Sequence, residues 1–380
     1  MTKQGTAIFT GMALATGLWA GASAAETLRY AHGWPAQSAI GEATAPLGDL
    51  LQSYSDGTLT ATVYPGSLLS MGELPSGLRD GIADIGGVVP VYAPSDYPIT
   101  NMLSDVAMLY EIQDAGDAIV PAFVGALMDF VINGCPECVS EFDAMNQVYT
   151  AGMGAPRYLL TCTNPVTNLD QLAGSRVRVA GPQWSGWVEE LGGRAVSLAG
   201  SEVLQALSQG VVDCAITNGA ELRGLGLMDA VTDITAAPLG IYGGALVANV
   251  NRDTWARLSA DQRRALLRAA ADVSAAAIFN YENEAEANLD AAVERGITIH
   301  QAEGDMVEAA LAFIEANVGG LPELYGNAFG VENGDAIIAR FIPVMTRWAE
   351  LTQGVETRDA LAELYWNEVL SKVDTNSYGL

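Results

Sequence analysis

Three arginines stand out among the residues that could do chemistry. Arg157, Arg176 and Arg178 fall in two short stretches, Arg157 to Cys162 and Ser175 to Ala180, whose composition is that of β-strands. In the second stretch arginine alternates with Val177 and Val179, and a strand projects Arg176 and Arg178 to one face. A strand-borne guanidinium at a cleft offers a planar fork that grips a carboxylate through two parallel hydrogen bonds. The same arginines could instead pair with local acids such as Glu189 and Glu190 and serve only the fold.

Nothing comparable points to covalent catalysis. The chain has no Gly-x-Ser-x-Gly elbow, no Gly-x-x-x-x-Gly-Lys phosphate cradle and no His-Glu-x-x-His pair, and His32 and His300 sit in no local motif. A carboxylate pair can assemble from distant positions, so a secreted hydrolase is kept as a rival function. Four cysteines, Cys135, Cys138, Cys162 and Cys214, allow three disulfide pairings, of which Cys135 with Cys138 and Cys162 with Cys214 is preferred. The Cys135-Pro136-Glu137-Cys138 spacing would also suit a redox dithiol or half a zinc site, but zinc would want further His or Cys partners at short spacing. Neither a metal nor a cofactor is expected.

Of 380 residues, 50% are hydrophobic and 17% charged, enough apolar material for a globular chain of about two domains. Acidic residues outnumber basic ones 45 to 18, a formal charge of -27 that repels phosphate backbones and argues against a nucleic-acid partner. Residues 1–25 combine Lys3, an apolar stretch from Ala7 to Ala22 and the small-residue run Ala22-Ser23-Ala24-Ala25, the layout of a cleaved secretory signal. The expectation is a soluble protein of the periplasm.

The elements that must position the arginines read as α/β. Thr27 to Ala31 is strand-like, Ser38 to Tyr54 an amphipathic helix and Thr58 to Tyr64 a strand, a parallel βαβ unit that a helix near Glu73 to Asp80 and a strand at Ile82 to Val89 extend. A second such unit restarts at Arg157 and runs through the helix Trp184 to Leu191, the short helix Ser201 to Ser208 and the strand Gly210 to Ile216. Leu239 to Asn251 then reads as a β-rich return toward the first sheet. From Ser259 to Arg295 there is no Gly or Pro, Ser259-Ala260-Asp261-Gln262 fits a capping box and Gly296 supplies the stop. One helix on the order of 50 Å long follows, a brace across both units.

The order Asn168-Leu169-Asp170-Gln171-Leu172-Ala173-Gly174-Ser175-Arg176-Val177-Arg178-Val179, then Leu191-Gly192-Gly193, then Ser201-Glu202-Val203 and Gly210-Val211-Val212-Asp213, resembles the extracytoplasmic solute-binding proteins of TRAP transporters, the DctP-like family. Leu28-Arg29-Tyr30-Ala31-His32, Tyr64-Pro65-Gly66, Gly81-Ile82-Ala83-Asp84-Ile85 and Asn251-Arg252-Asp253-Thr254-Trp255 match in the same order. The resemblance implies two α/β domains that hinge over a ligand, here 26–154 with 241–258 and 155–240 with 297–380, joined by the helix 259–295. It implies capture of a small organic anion or zwitterion through its carboxylate and delivery to a TRAP membrane permease, with no enzymatic activity. A receptor of an ATP-driven (ABC) importer is the nearest alternative.

Residue by residue, the resemblance places Arg178 on the ligand carboxylate and Arg157 beside it. The family's ligand-facing Asn falls near Thr217 and Asn218, where Val212-Asp213-Cys214 departs from the usual Val-Asp-Gly. Gly200 replaces a common aromatic, so Trp184 is a candidate wall. The opposite wall is expected from the first unit, near His32, Trp34, Glu73 and Val89.

Overall fold

A computed structural model describes residues 1–2, 25–112, 118–198 and 200–380. The expected export signal, residues 1–25, lies outside them except at its ends.

Among the described residues, thirteen strands form three sheets. The first sheet runs β2 (Leu59–Pro65), β1 (Glu26–His32), β3 (Ile85–Gly87), β12 (Asn249–Asn251), β4 (Gln147–Val148), with β1 parallel to β2 and β3 and with β12 antiparallel to its neighbours. The second runs β13 (Thr298–Gln301), β10 (Asp233–Ala236), β6 (Tyr158–Cys162), β9 (Cys214–Asn218), β7 (Arg176–Val179), β8 (Arg194–Ser197). Between them β5 (Gly152–Ala155) pairs antiparallel with β11 (Tyr242–Leu246). The chain thus leaves the first sheet at β4, crosses on β5 into β6, and returns from β10 on β11 into β12. Two crossings hydrogen-bonded to each other are the only β-structure joining the sheets among the described residues.

The expected brace is one helix, Ala260–Glu294. Its capping box is complete: Gln262 N donates to Ser259 Oγ at 3.2 Å and Ser259 N donates to Gln262 Oε1 at 3.0 Å. The helix touches every part of the fold. Tyr54 OH donates to Asp272 Oδ2 at 2.6 Å in the first unit, Ser274 Oγ donates to the β5 carbonyl of Gly152 at 2.6 Å, and Asn288 Nδ2 donates to Gly219 O and Ala220 O in the second. Gly219 permits the last approach, because a Cβ there would lie 2.7 Å from Ala285 O.

Two expectations need correction. The helix expected over Ser38 to Tyr54 is two, Ala39–Thr44 and Leu47–Tyr54, because Pro46 lacks the N–H that a continuous helix needs. The segment 297–380, assigned to the second unit, divides. β13 joins the second sheet, whereas helix Gly334–Leu351 packs chiefly against Ile119–Asn133 of the first unit and helix Arg358–Glu368 chiefly against the long helix. Trp348 lies flat over Gly125, where a Cβ would come within 2.2 Å of its ring, and Tyr365 OH donates to Pro121 O at 2.7 Å. An apolar helix face in sequence does not say which sheet it will cover.

Both preferred disulfides are present, Cys135–Cys138 and Cys162–Cys214, and no cysteine is free. Cys162 and Cys214 face each other across β6 and β9, so the second bridge staples the middle of the second sheet. No single helix among the described residues is long and apolar enough to cross a membrane.

Trp348 is fully buried, so Trp348→Ala should lower the unfolding free energy by about 3–5 kcal/mol, read from urea denaturation. A loss below about 1 kcal/mol would show that the C-terminal helices are not part of the first unit's core.

Candidate functional site

The segment after β3 in the first unit approaches the C-terminal end of β7 in the second, and the C-terminal ends of strands are where open α/β sheets offer a crevice. Gly181, two residues past β7, lies so near the first unit that a Cβ there would be 3.5 Å from Val91 Cγ2.

Arg178 sits in this crevice with 3% exposure. It lies opposite Val196 of β8 and Ala215 of β9, its Nε donates to Leu198 O at 3.0 Å and its Nη1 reaches Ile216 O at 3.4 Å. No acid pairs with it among the described residues, and both Nη2 hydrogens lack a partner there. Its neighbour Arg176 is different: Asp213 accepts from its Nε at 3.0 Å and its Nη2 at 2.7 Å on the surface. The purely structural role weighed for these arginines therefore fits Arg176, with Asp213 rather than Glu189 or Glu190 as partner.

Around Arg178 stand groups that the sequence did not single out. Tyr158 lies under Trp184, ring centroids 4.2 Å apart, and Trp184 Nε1 donates to Leu239 O at 2.9 Å, which fixes the pair as a wall. Glu221 opens the short helix after β9, and its Oε2 is buried with no hydrogen-bond partner among the described residues. Tyr92 is 42% exposed as a residue. Burial raises its hydroxyl pKa; the nearby Glu221 charge adds to this and Arg178 opposes it. The same charges act on Tyr158, whose burial raises it well above the usual range. Burial also raises Tyr281 of the long helix, with Glu221 and Glu284 contributing. Glu221 itself is pushed up by burial and drawn back by Arg178. Arg178, Glu221, Tyr92, Tyr158 and Tyr281 thus form one electrostatic cluster contributed by both units and the brace.

Asn218 and Thr217 separate cleanly. Asn218 lies opposite Tyr158 in the β6–β9 ladder, its Oδ1 accepts from Ala220 N at 3.0 Å, and its Nδ2 is buried beside the Tyr281 hydroxyl with no close hydrogen bond among the described residues. Thr217 Oγ1 is 3.2 Å from Thr161 Oγ1, a contact within the sheet's own side-chain layer. Gln183 Nε2, at the start of helix Pro182–Glu190, is a second buried donor with no partner among the described residues.

Other expected contacts are otherwise engaged. Arg157 forms an exposed ion pair with Glu111 of the first unit, on the opposite side of its strand from Tyr158. Glu73 is exposed and accepts from Ser70 N at 3.0 Å and Ser70 Oγ at 2.6 Å, tying its own turn. Val89 is a core residue, and half-buried Trp34 packs over Gly87. His32 is buried: its Nδ1 accepts from Trp34 N at 3.3 Å, which leaves Nε2–H to donate to Thr44 Oγ1 at 3.1 Å. Both ring nitrogens are spent inside the first unit. Among the described residues no group of His, Cys, Asp and Glu could hold a metal ion.

Comparison with known proteins agrees with this geometry. The model of the DctP family, described as bacterial extracellular solute-binding protein, family 7, matches residues 30–316. Among curated proteins, the outer membrane transporter protein TsaT of Comamonas testosteroni is 25% identical over 165 residues, 43% of this chain and 48% of that one. A solute-binding protein of Chromohalobacter salexigens is 28% identical over 151 residues, 40% of this chain and 44% of that one. The chain spans about half the length of the curated relatives it matches. Among solved structures, a marine metagenome TRAP solute-binding protein specific for aromatic acid ligands superposes with a TM-score of 0.70 at 18% identity, over 85% of this chain and 99% of that one. A TRAP periplasmic solute-binding protein of Bordetella bronchiseptica with bound mandelate gives 0.69 at 19%, over 85% and 99%. One from Desulfovibrio salexigens in an open complex gives 0.69 at 22%, over 86% and 97%. These structures show the same two-domain fold.

Burial lowers the His32 pKa to about 4 from its ordinary 6.5, only partly offset by the Trp34 hydrogen bond. The folded state therefore takes up its proton later than the unfolded chain as pH falls. The stability that neutral His32 contributes is complete above pH 6.5 and is lost as pH drops toward 4. Between pH 7 and 5, wild type should lose on the order of 1–2 kcal/mol more than His32→Asn, measured by urea titration. Equal losses would mean that His32 titrates normally and is open to the cleft.

Proposed function

Because the chain belongs to family 7 of the bacterial extracellular solute-binding proteins, we propose that it is the periplasmic receptor of a TRAP transporter, capturing a small carboxylate-bearing solute and handing it to a membrane permease. The observation that carries this reading is Arg178: a buried guanidinium with donors to spare and, among the described residues, no acid on it. Burial strips a charge of water, and a solute carboxylate replaces that water with two short charge-assisted bonds. Structures of the same fold carry pyroglutamate, mandelate or glucuronate, each with a carboxylate. The aromatic wall of Tyr158 and Trp184 supplies apolar contact, and Asn218 and Gln183 supply directional donors. The chain is read as a binding protein and not an enzyme, in keeping with the solute-binding family to which it belongs. The two crossing strands let the units close, and closure gives the permease different surfaces on the empty and loaded receptor.

Arg178→Ala should remain folded and lose binding by about 2–5 kcal/mol for any acid found by thermal-shift screening. Arg178→Lys should be nearly as poor, because an ammonium lacks the fork. Isothermal calorimetry that finds undiminished affinity in either variant removes Arg178 from the site and the proposal with it.

A further inference from the structure

We propose that the solute is a zwitterion: its carboxylate lies on Arg178, and a cationic nitrogen lies against Glu221 among the rings of Tyr92, Tyr158 and Tyr281. The inference rests on the reading that Arg178 receives a solute carboxylate, and it specifies what else that solute carries.

The first ground is an unfilled acceptor. Glu221 Oε2 is buried with no hydrogen-bond partner among the described residues, although the Asn218 backbone N–H acts on the same carboxyl. Arg178 is near enough to act on the Glu221 carboxyl, yet the two make no direct ion pair among the described residues. A buried acceptor left without a donor is costly. Space between two opposite, unjoined charges suits a molecule that carries both.

The second ground is charge balance. Arg178 is the one cation among the strongest charged influences on the three tyrosines, against the two acids Glu221 and Glu284. Glu284 is partly engaged, since its Oε2 accepts from Ala39 N at 3.1 Å. A solute bearing only a carboxylate would cancel Arg178 and leave Glu221 uncompensated in a desolvated crevice, and a dicarboxylate would be worse. A zwitterion leaves the cluster's charge unchanged and pairs both of its ends.

The third ground is the lining. Tyrosine faces attract cationic nitrogen through the ring quadrupole, most strongly where water is excluded. Three tyrosines beside a carboxylate match an ammonium or amidinium better than a second anionic group. Asn218 Nδ2 makes no close hydrogen bond among the described residues and lies beside the Tyr281 hydroxyl, where it can donate to an oxygen of the solute.

The test uses matched acids that differ at one atom, titrated calorimetrically into the full mature protein. One series is L-proline, pyroglutamate and cyclopentanecarboxylate; another is phenylglycine, mandelate and phenylacetate. In at least one series the ammonium member should bind about 10- to 100-fold more tightly than its neutral or nitrogen-free counterparts. Glu221→Gln should abolish that preference without weakening the counterparts, and its melting temperature should not fall, because the substitution removes an unpaired buried charge. A neutral or nitrogen-free acid that binds wild type as tightly as its ammonium analogue, in every series that binds, overturns the inference, and this comparison needs no variant. So does an undiminished preference in Glu221→Gln. Failure of the underlying reading has a different signature: Arg178→Ala retains binding, or no carboxylate in any series binds, and both proposals then fall together.

Discussion

A guanidinium withdrawn from water must be given acceptors, and Arg178 is given two backbone carbonyls and no acid. Much of the second unit can be understood as the means of holding that incomplete state. β7 carries Arg178 to the edge of the crevice, the adjacent strand β9 supplies Ile216 O, and the turn after β8 supplies Leu198 O. The disulfide between Cys162 and Cys214 locks β6 to β9 beside this strand. The chain leaves β7 through Gly181, which lies against Val91 of the first unit. Removing the charge would relieve the strain of burial, which is why its retention points to a use.

The site belongs to neither unit alone. Tyr92 comes from the first sheet's loops, Arg178 and Glu221 from the second sheet, and Tyr281 from the long helix. Two hydrogen-bonded crossings, β5 and β11, make a narrow hinge, and the long helix touches that hinge through Ser274 while holding both units. The C-terminal helices thicken the first unit, with Trp348 and Tyr365 seated on Ile119–Asn133.

The general architecture was legible because each signal was local. The capping box at Ser259, the absence of Gly and Pro up to Gly296, and the alternation of arginine and valine before Ala180 act within a few residues. What could not be read was partnership across distance. Glu111 as the mate of Arg157, and Trp348 on Gly125, depend on packing that no spacing encodes. His32 was a candidate only because the opposite wall had to come from the first unit, yet Thr44 at the end of the next helix and the Trp34 amide consume both nitrogens. Glu221 was hidden among 45 acids in a strongly negative chain, and only burial distinguishes it. Its place, three residues beyond Asn218 at the start of a short helix, was the one available hint.

The central claim is that a carboxylate on Arg178 draws the two units together. All four cysteines are bridged, so cysteines introduced at exposed Asp56 in the first unit and Val211 in the second would be the only thiols for spin labels. Pulsed electron resonance should show the distance between them shorten when an acid that stabilises the protein is added, and stay at its ligand-free value when the same acid is added to Arg178→Ala. A distance that does not change in wild type, with the ligand-free protein shown to be open, would contradict the account.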